Sequence, residues 1–152
     1  MRTTLLMNPT IRRAAEADID AIYTIEREGH ARWNRRQFSD ELGLNFSRMY
    51  VIEDDGAILG FAVAWIVADE IQLNDIGIRK DRRRHGLATL LLDRIISDAR
   101  ETHGPARVFL EVSEENAAAR AFYRNNGFVE TGRRSNYYDN VDAIMMERVL
   151  EQ

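Results

Sequence analysis

The chain has 152 residues and contains no cysteine. Without a thiol it cannot form a disulfide, a thiolate zinc site or an acyl intermediate on a cysteine nucleophile. Its three histidines, His30, His85 and His103, are scattered and lack the spacing of metal ligands. We therefore expect no metal site and a reducing, cytoplasmic environment.

Long hydrophobic runs are missing as well. The longest, residues 61–68, is far shorter than the roughly 20 residues that cross a bilayer. Residues 1–7 contain too short an apolar run for a signal peptide. The formal net charge of −4 makes the surface as a whole repel a nucleic-acid backbone. We expect one soluble domain over residues 1–152, with no membrane or DNA partner.

The apolar periodicity predicts strands that alternate with helices. Strands are predicted at 8–13, 50–53, 57–68, 71–78, 107–112, 128–138 and 142–150, and helices at 18–29, 35–44, 85–102 and 116–125. The inward positions of the third helix are predicted to be Leu87, Leu90, Leu91, Ile95 and Ala99. A hairpin is predicted at Asp54-Asp55-Gly56, and a left-handed helix end at Gly127. The order of elements predicts a mixed α/β sheet with helices packed on it.

An arginine-rich loop, Arg82-Arg83-Arg84-His85-Gly86, directly precedes the third predicted helix. The first N–H groups of a helix have no intrahelical acceptor, and a glycine lets a phosphate come close to the main chain. The loop therefore indicates a phosphate-bearing ligand. It lacks the Gly-Lys-Ser/Thr end of a Walker loop and the three glycines of a dinucleotide fingerprint. The alternative is that this segment is an ordinary solvent-exposed turn, in which arginines are also common.

Several motifs resemble the GNAT family of N-acetyltransferases. The pattern Arg83-x-x-Gly86-x-Ala88 resembles the pyrophosphate loop of that family. The other similar segments, in chain order, are Trp33, Phe38-x-x-Glu41-Leu42, Leu110-Glu111-Val112, Asn116–Ala119, Phe122–Phe128, Arg134–Tyr138 and Asp142-Ala143-x-Met145-Met146. Together they resemble the RimI subgroup, which acetylates the N-terminal amine of a ribosomal protein. Joint occurrence is far more specific than any one motif.

The resemblance implies a fold and a co-substrate. The fold is the GNAT fold, with a mixed, mostly antiparallel sheet of six to seven strands flanked by about four helices. The co-substrate is acetyl-coenzyme A, used without a metal. The implied cofactor-binding residues are Ile76, Gly77, Ile78, Arg83, Arg84, His85, Gly86, Leu87, Ala88, Thr89 and Asn116. Residues 76–78 are equally what a buried strand contains, and Asn116 is equally suited to capping a helix.

The chemistry of acetyl transfer requires an amine that loses a proton, a stabilised oxyanion and a departing thiolate. The resemblance implies that Glu111 is the general base and Tyr123 the general acid, with direct attack in a ternary complex. From its position alone, Glu111 is better explained as a strand residue that faces water. Tyr123 is equally suited to the hydrophobic core.

The implied substrate-binding residues are Trp33, Glu70, Tyr137 and Tyr138, and the implied acceptor is a protein N-terminus. Glu70 could instead relay a proton or be an ordinary hairpin residue, and adjacent tyrosines also form cross-strand aromatic pairs. Many relatives have an arginine followed by Ser-Asn after the Leu-Glu-Val motif, whereas this chain has Ser113-Glu114-Glu115. The added negative charge favours a basic acceptor.

Three alternatives stay open at this point. The chain could acetylate a small-molecule amine, or it could bind acyl-coenzyme A without catalysis. It could also bind RNA through residues 79–84, in which case binding would depend strongly on salt. We expect a monomer or a weak dimer.

Overall fold

The computed structural model describes residues 8–29, 31–138 and 140–151. The strands are β1 (Thr10–Arg13), β2 (Ser47–Asp54), β3 (Ala57–Val67), β4 (Glu70–Ile78), β5 (Arg107–Ser113), β6 (Val129–Tyr138) and β7 (Val141–Val149). The α-helices are α1 (Ile19–Glu28), α2 (Arg35–Leu42), α3 (Leu87–Thr102) and α4 (Ala117–Asn125). The seven strands form one sheet in the order β1-β2-β3-β4-β5-β7-β6. The predicted mixed α/β architecture is confirmed.

Two predictions for α3 are wrong in detail. The helix begins at Leu87 rather than His85, because Gly86 has a φ of +77° and so lies outside the helical region. Leu90 is 44% exposed, whereas Leu91 and Ile95 are buried. At about 100° per residue, Leu90 lies nearly opposite the centre of the buried stripe. The stripe consists of Leu87, Leu91, Leu92, Ile95, Ile96 and Ala99.

Local side-chain and backbone chemistry fixes the other element ends. At the start of α2, Asn34 accepts the N–H of Gln37, whose side chain accepts the N–H of Asn34 in return. The β2–β3 turn places Gly56 at a φ of +79°, as a tight hairpin requires. Gly127 follows α4 with a φ of +88°, which confirms the predicted left-handed end.

The chain forms two compact units. The first consists of Met1–Val63 with Asp75–Arg94. One cluster of its core consists of the buried residues Ile19, Ile22, Ile25, Phe38, Met49, Val51, Phe61 and Val63. The rings of Phe38 and Phe61 meet edge to face with centroids 5.3 Å apart. Arg12 braces this unit through ion pairs with Asp18 at 2.8 Å and Glu53 at 3.0 Å.

The second unit consists of Ala64–Asn74 with Ile95–Gln152. In this unit β5 runs parallel to β4, with Glu70 opposite Arg107, and antiparallel to β7, with Glu111 opposite Met145. Burial alternates along β5, so that Val108, Leu110 and Val112 face the core. The two-residue period places the side chain of Glu111 on the other face.

The prediction of a single domain over residues 1–152 stays a prediction. Across the described ranges, no helix has the length and apolar character needed to cross a bilayer.

Candidate functional site

The arginine loop lies in the first unit, between β4 and α3. Arg79 pairs with Asp81 at 2.8 Å, and Arg82 reaches the same carboxylate at 3.3 Å. The hydrogen bond from Arg79 lowers the pKa of Asp81. One acid therefore offsets part of the positive charge at the beginning of the loop. Arg84 and His85 are exposed, and Arg84 has a φ of +69°.

Arg83 braces the loop. Its Nε donates to the carbonyl of Ile78 at 3.2 Å, and its Nη2 donates to the carbonyl of Glu28 at 3.4 Å. The resemblance implies that Arg83 contributes charge to the cofactor. The structure adds a second role, because the guanidinium ties the loop to the end of β4 and to α1.

Gly86 leaves the main chain open at the start of α3. A Cβ built on Gly86 would have no heavy atom within 4 Å. Its carbonyl oxygen accepts the N–H of Leu90 at 3.2 Å, so the helical hydrogen bonds begin at Gly86 and the N–H groups of the first turn belong to the residues directly after it. The 16-residue helix adds partial positive charge at this end. A diphosphate fits this surface because its oxygens need close main-chain donors and open space.

Within the segment 76–78, core packing requires a glycine at position 77. A Cβ on Gly77 would lie 2.7 Å from Cε1 of Phe61 and 3.3 Å from Cγ2 of Ile25. Residues 76–78 are half-buried rather than fully buried. The end of β4 is thus tightly packed on one face and remains partly accessible to solvent.

Glu111 pairs with an arginine that the motif analysis did not connect to it. Arg134 on β6 approaches Glu111 Oε1 at 2.7 Å, and the glutamate side chain is 23% exposed. The same guanidinium lies 4.7 Å from the ring centroid of Tyr137. Residues far apart in sequence therefore meet around one candidate catalytic carboxylate. The strand pairing that joins them could not be read from the motifs alone.

Glu70 does not join this group. Its Oε1 accepts from Arg107 Nη2 at 2.8 Å, and Arg107 also pairs with Glu147 at 3.1 Å. Arg107 precedes Glu111 by four residues on β5, a spacing of about 13 Å along a strand. The geometry gives no support to a proton relay between Glu70 and Glu111, and the role of Glu70 in substrate binding stays a prediction.

Asn116 and Tyr123 occupy the structural positions that the alternatives suggested. Asn116 caps α4, since its Oδ1 accepts the N–H of Ala119 at 3.1 Å. Tyr123 is 7% exposed, and its ring lies 5.4 Å from that of Phe128. Capping and packing are compatible with a further role for either residue, and those roles stay predictions.

The remaining substrate-binding candidates lie on two separate segments. Trp33 belongs to the first unit, where its ring centroid lies 5.2 Å from that of Phe38 and its main-chain N–H donates to Glu26 Oε2 at 3.0 Å. Tyr137 is half-exposed on β6. The backbone of Tyr138 pairs with Val141, while the Tyr138 side chain lies outside the described residues, as do His30 and Asp139.

Two further features were missed by the motif analysis. Glu26, which is buried, interacts with Asp75 in the first unit, and desolvation together with this neighbour raises the pKa of Asp75. In the second unit, Glu114 of the unusual Ser-Glu-Glu segment is ion-paired with Arg133. Among the described residues, no three His, Asp or Glu side chains group closely enough to hold a metal ion.

The chain is similar to known proteins in both sequence and fold. The sequence profile described as "Acetyltransferase (GNAT) family" matches residues 13–128. The chain is 37% identical over 138 residues to a [ribosomal protein bS18]-alanine N-acetyltransferase of Escherichia coli (strain K12), covering 88% of this chain and 90% of that protein.

Two solved structures show the same fold. The crystal structure of the ribosomal-protein-S18-alanine N-acetyltransferase from Escherichia coli has a TM-score of 0.85 and 32% identity, with 95% of each chain covered. The PaiA N-acetyltransferase from Thermoplasma acidophilum, solved in complex with coenzyme A, has a TM-score of 0.80 at 16% identity, covering 95% of this chain and 100% of that one. The latter likeness concerns the fold alone.

Proposed function

The chain belongs to the acetyltransferase (GNAT) family and is an acetyl-coenzyme A-dependent N-acetyltransferase, and on that premise we propose that it acetylates the N-terminal α-amine of a ribosomal protein in the cytoplasm. The observation that carries the proposal is the 37% identity, over most of both chains, to an enzyme named for the alanine of ribosomal protein bS18.

The loop before α3 is proposed to hold the cofactor. Bound acetyl-coenzyme A supplies an acetyl group activated as a thioester. Main-chain amides of residues 86–89 donate to its diphosphate, where Gly86 leaves the backbone open. Arg84 and His85 are exposed beside this surface, and Arg83 keeps the loop in place through the Ile78 carbonyl. Backbone groups of residues 76–78 are proposed to pair with the pantetheine arm.

Glu111 is proposed to accept the proton of the acceptor amine, directly or through a water molecule. An unperturbed α-amino group has a pKa near 8, so about a tenth of it is already neutral at pH 7 and a carboxylate is an adequate base. The amine competes with Arg134 for this carboxylate, because the guanidinium contacts Oε1. If the protonated amine replaces Arg134, the Glu111 carboxylate still has a cationic partner.

Tyr123 is proposed to protonate the departing sulfur. Its hydroxyl is a suitable donor to a developing thiolate, and the ring is held by Phe128 so that few rotamers are open to it. Asn116 is proposed to bind the pantetheine arm in addition to capping α4. With no cysteine in the chain, direct attack in a ternary complex is the proposed route.

Trp33, Glu70, Tyr137 and Tyr138 remain the proposed acceptor-binding residues. The ion pair between Glu114 and Arg133 weakens the argument for a strongly basic acceptor, because part of the added negative charge is neutralised within the protein. The acceptor assignment therefore depends on the relatives and not on the charge of this segment.

The acceptor is tested by measuring coenzyme A release with four amine classes. These are the N-terminal peptide of bS18, the same peptide with a blocked α-amine, a lysine peptide and a polyamine, with mass spectrometry to locate the acetyl group. We expect acetylation at the free α-amine. Transfer confined to polyamines would refute the ribosomal acceptor, and cofactor binding without transfer to any amine would refute catalysis.

The catalytic roles are tested by Glu111→Gln and Tyr123→Phe. Each should lower kcat by about 10²–10⁴-fold, the usual contribution of a positioned acid or base, without changing the Kd of acetyl-coenzyme A. Arg124→Gln is the control, because it removes an exposed charge from the same helix as Tyr123 and leaves Glu130 paired with Arg120. Full activity of both variants would disprove the assignments.

A further inference from the structure

Two carboxyl groups lie next to each other in the first unit, one on a buried residue and one on a half-buried residue. Glu26 on α1 is 5% exposed, and Asp75 lies on β4. The carboxyl group of Asp75, whose Oδ2 is buried, interacts directly with that of Glu26, and burial together with this interaction raises the pKa of Asp75. A carboxylate has no hydrogen to donate, so a hydrogen bond between two carboxyl groups requires a proton on one of them.

We propose that Glu26 and Asp75 share one proton and act as a positioning unit for the segment that carries Trp33, and thereby for the acceptor peptide. The inference rests on the proposed function in one respect, since it takes Trp33 as part of the acceptor-binding surface.

Glu26 holds this segment through both its side chain and its main chain. Its Oε2 accepts the main-chain N–H of Trp33 at 3.0 Å. Its carbonyl accepts the N–H groups of Gly29 at 3.0 Å and Ala31 at 3.2 Å. Glu26 thus holds the end of α1 through its main chain and the beginning of the following segment through its side chain. The same side chain interacts with Asp75.

Asp75 has a buried oxygen with no hydrogen-bond partner within the described structure, Oδ2. A carboxylate in that position would be poorly solvated. Burial raises the pKa of Asp75, the neighbouring Glu26 raises it further, and Arg32 lowers it. The charged groups that act on Asp75 within the described ranges are Glu26 from α1 and Arg32 from the segment after it.

Loss of the shared proton would convert the pair into two buried like charges. Their repulsion removes the hydrogen bond that orients Glu26, and the Trp33 N–H then loses its acceptor. Protonation of the pair is thereby linked to the position of Trp33. This link distinguishes a positioning role from simple packing.

The first experiment compares three variants by steady-state kinetics with the bS18 peptide. Asp75→Asn keeps an N–H donor for Glu26, so the acceptor KM should stay within about twofold of the original value. Asp75→Leu removes the donor and leaves Glu26 unpaired, which should raise the acceptor KM about tenfold. Glu26→Gln retains an oxygen for the Trp33 N–H and an N–H for Asp75, and should resemble Asp75→Asn. The KM of acetyl-coenzyme A should not change in any of them.

The pH profile separates this mechanism from packing. Above the raised pKa of Asp75, the acceptor KM of the original enzyme should rise relative to that of Asp75→Asn. The ratio of the two enzymes cancels the titration of the acceptor amine, because that group is common to both. An unchanging ratio, or equal KM values for Asp75→Asn and Asp75→Leu, would overturn the proposal.

Stability provides a readout that needs no enzymatic activity. A folded-state pKa above the unfolded value means that the native protein holds the extra proton, so the free energy of unfolding falls as pH rises between the two values. Urea unfolding across this range should show a steeper fall for the original protein than for Asp75→Asn. Parallel slopes would refute the shared proton. Absence of acetyl transfer with the slopes intact would instead refute the proposed function.

Discussion

Gly86 offers the most direct test of how the main chain binds the cofactor. Gly86→Ala adds a methyl group at a φ of +77°, and that Cβ meets no atom within 4 Å. The cost to stability is therefore conformational strain without a clash, about 1–2 kcal/mol. For a chain of this length each kcal/mol lowers the Tm by about 2–4 °C. The protein should remain folded.

The effect on cofactor binding should be larger than the effect on folding. The added Cβ occupies the open surface at the start of α3 that the diphosphate is proposed to use. Loss of one main-chain hydrogen bond to a charged oxygen costs about 1.5–3 kcal/mol. This corresponds to an increase of about 10–150-fold in the Kd of acetyl-coenzyme A. Calorimetric titration with coenzyme A measures it without any acceptor.

Gly104→Ala is a matched control. Gly104 has a φ of +55°, and a Cβ there also has nothing within 4 Å, but the residue follows the opposite end of α3. It should lose a similar amount of stability and bind coenzyme A with unchanged affinity. If both variants bind the cofactor as the original protein does, the diphosphate does not lie at Gly86. If both bind it equally poorly, strain rather than occlusion is responsible.

Three further predictions concern the same fold. Arg134→Gln should lower the acceptor KM by up to about fivefold, because exposed pairs contribute at most about 1 kcal/mol and Glu111 is then open to the amine; a large loss of kcat would contradict this. Gly60→Ala should cost about 1–3 kcal/mol in thermal unfolding, since its Cβ would lie 2.8 Å from the main-chain carbonyl oxygen of Gly77, which cannot move aside as a side chain can. The hydrogen bond from the Arg12 guanidinium lowers the pKa of Asp18. Acid titration should therefore show a contribution to stability that is present above the unfolded-state pKa of about 4 and is lost as the pH falls through the lower folded-state pKa. Asp18→Asn should not show this loss.

The order and type of the elements could be predicted because the local signals are strong. Alternation identifies β5, and the glycines at 56 and 127 have backbone angles that other residues rarely adopt. Element ends were predicted less well. Gly86 was included in α3 because a helical pattern in side chains does not reveal a positive φ at its border.

Side-chain partners between distant segments could not be predicted. Glu111 and Arg134 are 23 positions apart in the chain, and their contact depends on the register in which β5, β7 and β6 pair. Glu26 and Asp75 lie on a helix and a strand that are separated by two other strands in sequence. Neither residue belongs to a recognisable motif. Their relation exists only after the first unit has folded.

The pairing of acids and arginines in the second unit bears on the proposed role of Glu111 as the base. Arg107 contacts two carboxylates, Glu70 and Glu147, and Arg133 likewise contacts two. Within the described residues, the pair of Glu111 with Arg134 is one to one, and the arginine side chain is 54% exposed. This single pair is less costly to exchange than a bridge within a network, since the arginine is largely exposed and such a bridge contributes on the order of 1 kcal/mol. An incoming amine can therefore replace Arg134 without dismantling a network, whereas binding at Glu70 would have to break a bridge shared with Glu147.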